Sequence, residues 1–246
     1  MSKPFEGKVV LITGAGSGIG RATSIKLSHQ GATLALTDIN PSSLQETLSL
    51  CTPSTHTTSA FDIASPSACN DFIASTINTH SKLDHVFNCA GRNPVNIATA
   101  DITDEYWDSI INTNLKGMFN ITRACIPHLQ PGASFVNVSS IAGLQPTNGF
   151  ASYCASKYAV VGFSKCVALE LGVKGIRTNV VAPGYIDTPT NAGVVAGKEA
   201  AESMAKAVAI GRMGTAEEVA DVVIFLFSDE ARYMNGSVVE INGGLK

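Results

Sequence analysis

Short apolar runs alternate along this chain with stretches whose apolar residues recur at helical spacing. Lys8-Val-Val-Leu-Ile-Thr13 is an unbroken run, of the kind that a strand buried on both faces shows. Gly14-Ala-Gly-Ser-Gly18-Ile-Gly20 follows, then a helical pattern through Ile25 and Leu27 that stops at Gly31. Thr33–Thr37 predicts a second strand, ending at Asp38, and Pro41–Cys51 a second helix. Next come a strand over Thr55–Phe61 running into Asp62-Ile63, a helix over Pro66–His80 and a strand over Asp84–Asn88. Thr103–Leu129 reads as one long helix, with Trp107, Ile111, Leu115 and Phe119 near one face. Strands at Ser134–Val138, Ile176–Ala182 and Ser237–Ile241 alternate with helices over Tyr153–Leu171 and Thr215–Ser228. Strands separated by helices predict an α/β fold with a doubly wound parallel sheet of about seven strands and helices on both faces. No linker, charge run or repeat breaks the pattern, so residues 1–246 read as a single domain.

Composition narrows the function classes. The chain is 45% hydrophobic and 15% charged, which supplies a sizeable core and argues against disorder. A net charge of −3 leaves no basic footprint for nucleic acid. No apolar run reaches the ~18–20 residues of a membrane span, and the polar start shows no signal-peptide pattern. The six cysteines lack C-x-x-C spacing and the five histidines lack ligand spacing. We therefore expect reduced thiols, a cytoplasmic setting and no metal.

Two stretches carry chemistry. In the first, a glycine turn sits between a strand and a helix, the context in which such a cluster acquires meaning. Glycines let a pyrophosphate approach the backbone, and a helix N-terminus offers free N–H groups and partial positive charge. Asp38 stands eighteen residues past Gly20, placed for the ribose hydroxyls of an adenosine. A carboxylate there repels a 2′-phosphate, and Ser17 adds no compensating cation, which favours NAD(H) over its phosphorylated form. The plainer reading of Asp38 is a helix cap before Pro41. Asp62 could meet the adenine amine, and the small residues Cys89-Ala90-Gly91 permit close approach of a cofactor ring.

In the second stretch, Tyr153 and Lys157 lie four residues apart, on one face of a helix. A phenol with a free pKa near ~10 is a poor acid–base catalyst at neutral pH, and a nearby cation would pull that value down. Ser140, thirteen residues before Tyr153, closes a strand and could share a substrate oxygen with the phenol. Alone, the Tyr–Lys pair also fits an ordinary surface helix.

Together these motifs resemble the short-chain dehydrogenase/reductase family, over Lys8–Gly244 and in the family's order. The resemblance implies a Rossmann-type fold and a cofactor turn at Gly14, Ser17, Gly18, Ile19 and Gly20. It implies further cofactor contacts at Asp62, Ile63, Asn88, Ala90 and Gly91. Ser140, Tyr153 and Lys157 match the catalytic serine, tyrosine and lysine, and Asn114 the family's helix asparagine, which would position a water leading from Lys157 to solvent. Asn114 is otherwise a core amide bonded to backbone. Lys157 would bond the nicotinamide ribose and lower the Tyr153 pKa. Pro183, Gly184, Ile186 and Thr188 resemble the segment that holds the nicotinamide carboxamide. Residues 188–212, rich in alanine and glycine, read as a substrate lid. A homo-oligomer, tetramer or dimer, is implied through the helices holding Asn114 and Tyr153 and through the last helix and strand.

The reaction implied is hydride transfer between a nicotinamide and a secondary alcohol or ketone, on a small to medium, partly hydrophobic metabolite. Arg92, where the family more often has a small residue, either faces the pocket and favours an anionic substrate or turns to solvent. Gln145, Phe150 and Tyr185 are the other substrate candidates. A 3-oxoacyl-thioester reductase is the alternative enzyme, and an NAD-binding regulatory protein the alternative outside catalysis.

Overall fold

The computed structural model describes residues 3–188 and 198–245. Its centre is a seven-stranded parallel sheet in the order β3-β2-β1-β4-β5-β6-β9. The strands are β1 (Val9–Thr13), β2 (Thr33–Asp38), β3 (Thr57–Ala60), β4 (Leu83–Asn88), β5 (Leu129–Val138), β6 (Arg177–Pro183) and β9 (Val238–Ile241). A small parallel pair, β7 (Ile186–Asp187) with β8 (Gly214–Thr215), lies outside that sheet.

Period two along the strands sorts side chains to the two faces. Val10 and Ile12 join Leu34, Leu36 and Phe87 in one buried cluster, with Leu27 of α1 (Gly18–His29) and Val219 and Val223 of α8 (Ala216–Phe227). Val9 and Leu11 face the other way, among Phe72 and Ile73 of α3 (Pro66–His80), Ile121 of α5 (Met118–Cys125) and Val167 and Leu171 of α6 (Ala151–Gly172). The helices α2 (Pro41–Leu50), α4 (Asp104–Ile111) and α7 (Lys198–Ala207) complete the set named here.

The long helix expected over Thr103–Leu129 is instead three pieces: α4, a π-helical stretch Asn112–Gly117, and α5. Pro127, which has no N–H to donate, ends regular helix near Cys125, and β5 already begins at Leu129. The buried face carries Ile110, Asn114, Met118, Ile121 and Cys125, whereas Trp107 and Phe119 are 42% and 37% exposed. The face that the sequence pattern singled out is therefore not the one that meets the sheet. Elsewhere local signals set the ends. Ser65 caps α3 by accepting from the Ala68 N–H, with Pro66 at the first position. Thr215 and Glu218 form a capping box on α8.

β1 hydrogen-bonds to β2 on one side and β4 on the other. The strand order reverses there, and α/β sheets open a crevice beyond the carboxyl ends of such strands. No helix of the described residues is long and apolar enough to cross a membrane.

Candidate active site

The crevice is built first by backbone. Thr13, the last residue of β1, accepts hydrogen bonds from the Cys89 and Ala90 amides, both 3.1 Å, and so fastens the end of β4 beside the glycine turn. Gly14 has φ 66°, and a Cβ there would stand 2.8 Å from Ala90 Cα. A side chain is thus excluded by conformation and by space. Gly16 is gripped through both backbone groups: its N–H donates to Asp38 at 2.8 Å, and its carbonyl accepts from Arg21 at 2.6 Å. Arg21 also reaches Thr47 at 3.0 Å and Glu46 at 2.7 Å. No local signal marks Arg21 or the task of the Thr13 hydroxyl, because Thr47, Glu46, Cys89 and Ala90 lie far along the chain from them.

A cleft of about 610 Å³ occupies the crevice, within the range of ~300–1,000 Å³ usual for ligand and cofactor sites. Asp38, Asp62 and Ile63 line it at one end; Gly14, Ser17, Gly18 and Ile19 line it at the turn. Asn120, also unforeseen, donates to the Ile63 carbonyl at 3.1 Å and fixes that edge. No side chain caps α1 and no acid lies in its first turn; the Gly20 amide meets the Cys89 thiol, and the helix start otherwise carries the partial positive charge that suits an anion. Bare glycine backbone, an uncapped helix start and a carboxylate at the end of β2 together fit a dinucleotide.

Ser140, Tyr153 and Lys157 line the same cleft, with Ala90, Gly91, Pro183, Gly184, Ile186 and Thr188. Thr188 sits over the turn, its methyl 3.3 Å from where a Gly18 Cβ would be. Ser139 directs its hydroxyl into α6, onto the Lys157 carbonyl at 2.9 Å, whereas Ser140 hydrogen-bonds the Tyr153 phenol. Arg92, Gln145, Phe150 and Tyr185 line the remainder. Arg92 is exposed.

The electrostatics differ from the expectation. Burial pushes the Tyr153 phenol up to about 12, the Ser140 hydrogen bond working the other way. Burial also pushes the Lys157 ammonium down to about 8. Its Nζ donates to the Val138 carbonyl at 3.0 Å and stands 5.7 Å from the Tyr153 ring centroid. Desolvation dominates at the phenol in this state.

Three predicted residues do not face the cleft. Gly20 packs against the Gly14 carbonyl. Asn88, expected at the cofactor, instead turns its amide into the sheet, donating to Thr122 at 3.1 Å and Asn137 at 2.8 Å. Asn137 donates onward to Ser164 at 2.9 Å. The reason is register: Asn88 and Asn137 are direct partners in β4 and β5. The Asn114 amide accepts from the Arg92 N–H at 2.6 Å and donates to the Arg92 carbonyl and Ser156 at 3.1 and 3.2 Å. Asn114 and Lys157 are nevertheless close neighbours. A Cβ on Gly91 would lie 3.2 Å from Asn114 Oδ1 and 3.6 Å from Lys157 Nζ. Of the expected lid, residues 189–197 lie outside the described residues, and 198–207 form α7.

Comparison with known proteins agrees with this geometry. A family model described as enoyl-(acyl carrier protein) reductase matches residues 14–246. The chain is 37% identical over 245 residues to a 3-oxoacyl-[acyl-carrier-protein] reductase of Thermotoga maritima, covering 98% of each. It is 37% identical over 247 residues to a cyclohexanol dehydrogenase of an Acinetobacter species, covering 99% of this chain and 96% of that one. A solved short-chain dehydrogenase/reductase from Brucella melitensis superposes with a TM-score of 0.94 at 30% identity, covering 100% of this chain and 99% of that one. Likeness at this level covers nearly the whole chain, and the chain belongs to the short-chain dehydrogenase/reductase family, enzymes that act on CH–OH groups and the matching carbonyls.

Proposed function

We propose that this chain is an NAD(H)-dependent oxidoreductase interconverting a secondary alcohol and a ketone on a small to medium, partly hydrophobic metabolite. One observation carries the reading: Ser140, Tyr153 and Lys157 converge on a cleft whose other end holds Asp38. A bound nicotinamide would supply or take the hydride. Tyr153 passes a proton to or from the substrate oxygen, and Ser140 holds that oxygen beside the phenol. Lys157 would hold the nicotinamide ribose, and would pass a proton to Tyr153 after the phenol has given one up or take one from it in the reverse direction. The Asn114 side chain is committed to Arg92 and Ser156 and stands close to the Lys157 ammonium. Gly14, Ser17, Gly18 and Ile19, with Gly20 keeping the turn tight, would shape the pyrophosphate site, and Asp62 and Ile63 would border the adenine. Ala90 and Gly91 would border the ring, and Pro183, Gly184, Ile186 and Thr188 would hold the carboxamide.

Asp38 supports NAD(H). Its carboxylate lies on the cleft, and Arg21, the cation reaching the same turn, is spent on Gly16, Thr47 and Glu46. The test is fluorescence binding of NADH and NADPH to wild type and Asp38→Ala. NADH should bind at least about tenfold tighter, a gap on the order of 1.4 kcal/mol, and the gap should collapse in the variant. Equal or NADPH-favoured binding to wild type sinks the assignment.

A thioester substrate is the second reading. It draws on Arg92, a cation at the cleft for an anionic carrier, and on the acyl-carrier-protein reductase among the relatives. Turnover of a 3-oxoacyl thioester that fails in Arg92→Ala, with simple ketones inert, would bring it forward. A homo-oligomer through the α4–α6 face is supported by exposed Trp107, Phe119 and Tyr158. Light scattering tests it.

A further inference from the structure

The segment after β9 turns back onto the cleft. Val208, just past α7, forms an antiparallel bridge with Leu245. Ala209 N–H donates to the Gly244 carbonyl at 3.0 Å, and Ile210 N–H to the Gly243 carbonyl at 3.2 Å. This approach needs residues without side chains. Gly243 and Gly244 have φ of 60° and 75°, and Cβ atoms on them would stand 2.7 Å from Val208 Cγ1 and 2.9 Å from Ala209 Cβ. The pairing delivers Leu245 to the cleft, where it is half-buried and shares the lining with Met204, Ala207 and Met213. These four residues are apolar, and the two methionines, unbranched and flexible, adapt to a range of apolar shapes.

We propose that Leu245, held in place by the pairing of residues 243–245 with 208–210, sets how large an apolar group the substrate carries, and that this group is an alkyl chain or alicyclic ring beside the reacting carbon. The inference rests on the alcohol–ketone reading of the site and names the substrate body that reading left open. Its chemistry is shape alone: Leu245 supplies no proton and no charge. Truncating it opens room next to Met204 and Met213, and enlarging it closes that room.

The test uses the full chain with NADH and a series of methyl ketones from butanone to decanone. Leu245→Ala should move the ratio of kcat/KM, long over short, upward by about tenfold, and Leu245→Phe should move it downward, since a few carbons in an apolar pocket discriminate by about that much. NADH affinity should stay within about twofold in both, because the proposal concerns the substrate side only. Gly244→Val should release the pairing, read as at least tenfold faster amide exchange at Ala209 and Ile210. Unchanged selectivity in both Leu245 variants, or a selectivity change matched by an equal loss of NADH affinity, overturns the proposal. Thermal upshift of the NADH complex by the same ketones reports binding without turnover. An upshift graded by chain length that shifts in Leu245→Ala, in a protein that turns no ketone over, sinks the redox reading and leaves the pocket assignment standing. If no ketone shifts the melting temperature or is turned over, the assignment falls as well.

Discussion

Replacing Lys157 by methionine should yield a protein that is more stable and has lost its activity. Lys157 is 4% exposed, and burial lowers its pKa from 10.5 to about 8. At 1.36 kcal/mol per pH unit, holding that ammonium in the folded state costs on the order of 3 kcal/mol at pH 7. Methionine fills a similar volume without charge. It also leaves the Val138 carbonyl without the 3.0 Å bond from Nζ, a loss of about 1–3 kcal/mol. The net gain is up to about 2 kcal/mol, or a melting temperature higher by up to about 8 °C in a chain of this length. The pH dependence separates this cause from generic repacking. Below pH 8 the lysine is charged in both states and the full cost is present. Between about 8 and 10.5 the unfolded chain binds the proton that the folded protein has released, so wild-type stability rises with pH. The advantage of Lys157→Met is therefore complete below pH 8 and fades towards 10.5. Urea denaturation of the ligand-free protein at pH 7 and pH 9.5, with turnover measured at pH 7, checks each part. A variant less stable than wild type at pH 7, or a gap that stays constant across the two pH values, refutes the reasoning.

Two further outcomes test the site itself. Tyr153→Phe should keep NADH binding while lowering kcat by about 10²–10⁴-fold, read by fluorescence titration and steady-state turnover; unaltered kcat would remove Tyr153 as the acid–base group. Gly91→Ala places a methyl 3.2 Å from Asn114 Oδ1 and 3.6 Å from Lys157 Nζ. It should lower kcat by about tenfold while changing unfolding free energy by under about 1 kcal/mol, and equal kcat would show that this corner tolerates displacement.

Where the decisive signals were local, the sequence could be read closely. The helix Pro66–His80 has the bounds expected of it because Ser65, Pro66 and the residues of its last turn carry their own start and stop. The glycine turn, Asp38 and the Ser140–Tyr153–Lys157 set were singled out by their spacings together with the family resemblance, and all of them line one cleft. Distant partners hid the rest. The π-helical stretch at Asn112–Gly117 has no local marker; it accompanies the approach of Ile63, which sits where a Gly117 side chain would be. Asn88 looked like a cofactor contact because only the β4–β5 register turns it inward. The Tyr153 pKa was misjudged in direction because spacing reports the charge nearby and not the water excluded, and exclusion dominates at this depth. Leu245 drew no attention, since nothing in its neighbourhood along the chain says that it returns to the cleft.

The row of amides and hydroxyls from Thr122 through Asn88 and Asn137 to Ser164 has a consequence for redesign. A slip of β4 against β5 by one residue would strand these groups in apolar surroundings, at about 1–3 kcal/mol for each one left unpaired. It would also carry Cys89 and Ala90 away from Thr13, and Ser139 and Ser140 away from α6. The row thus works as an alignment key that admits one seating of the two strands. Walls such as Met204, Met213 and Leu245 can be exchanged to seek new substrates, because none of them belongs to that key. Changes at Asn88 or Asn137 would misplace the glycine turn and Ser140 together, however well the new pocket were drawn.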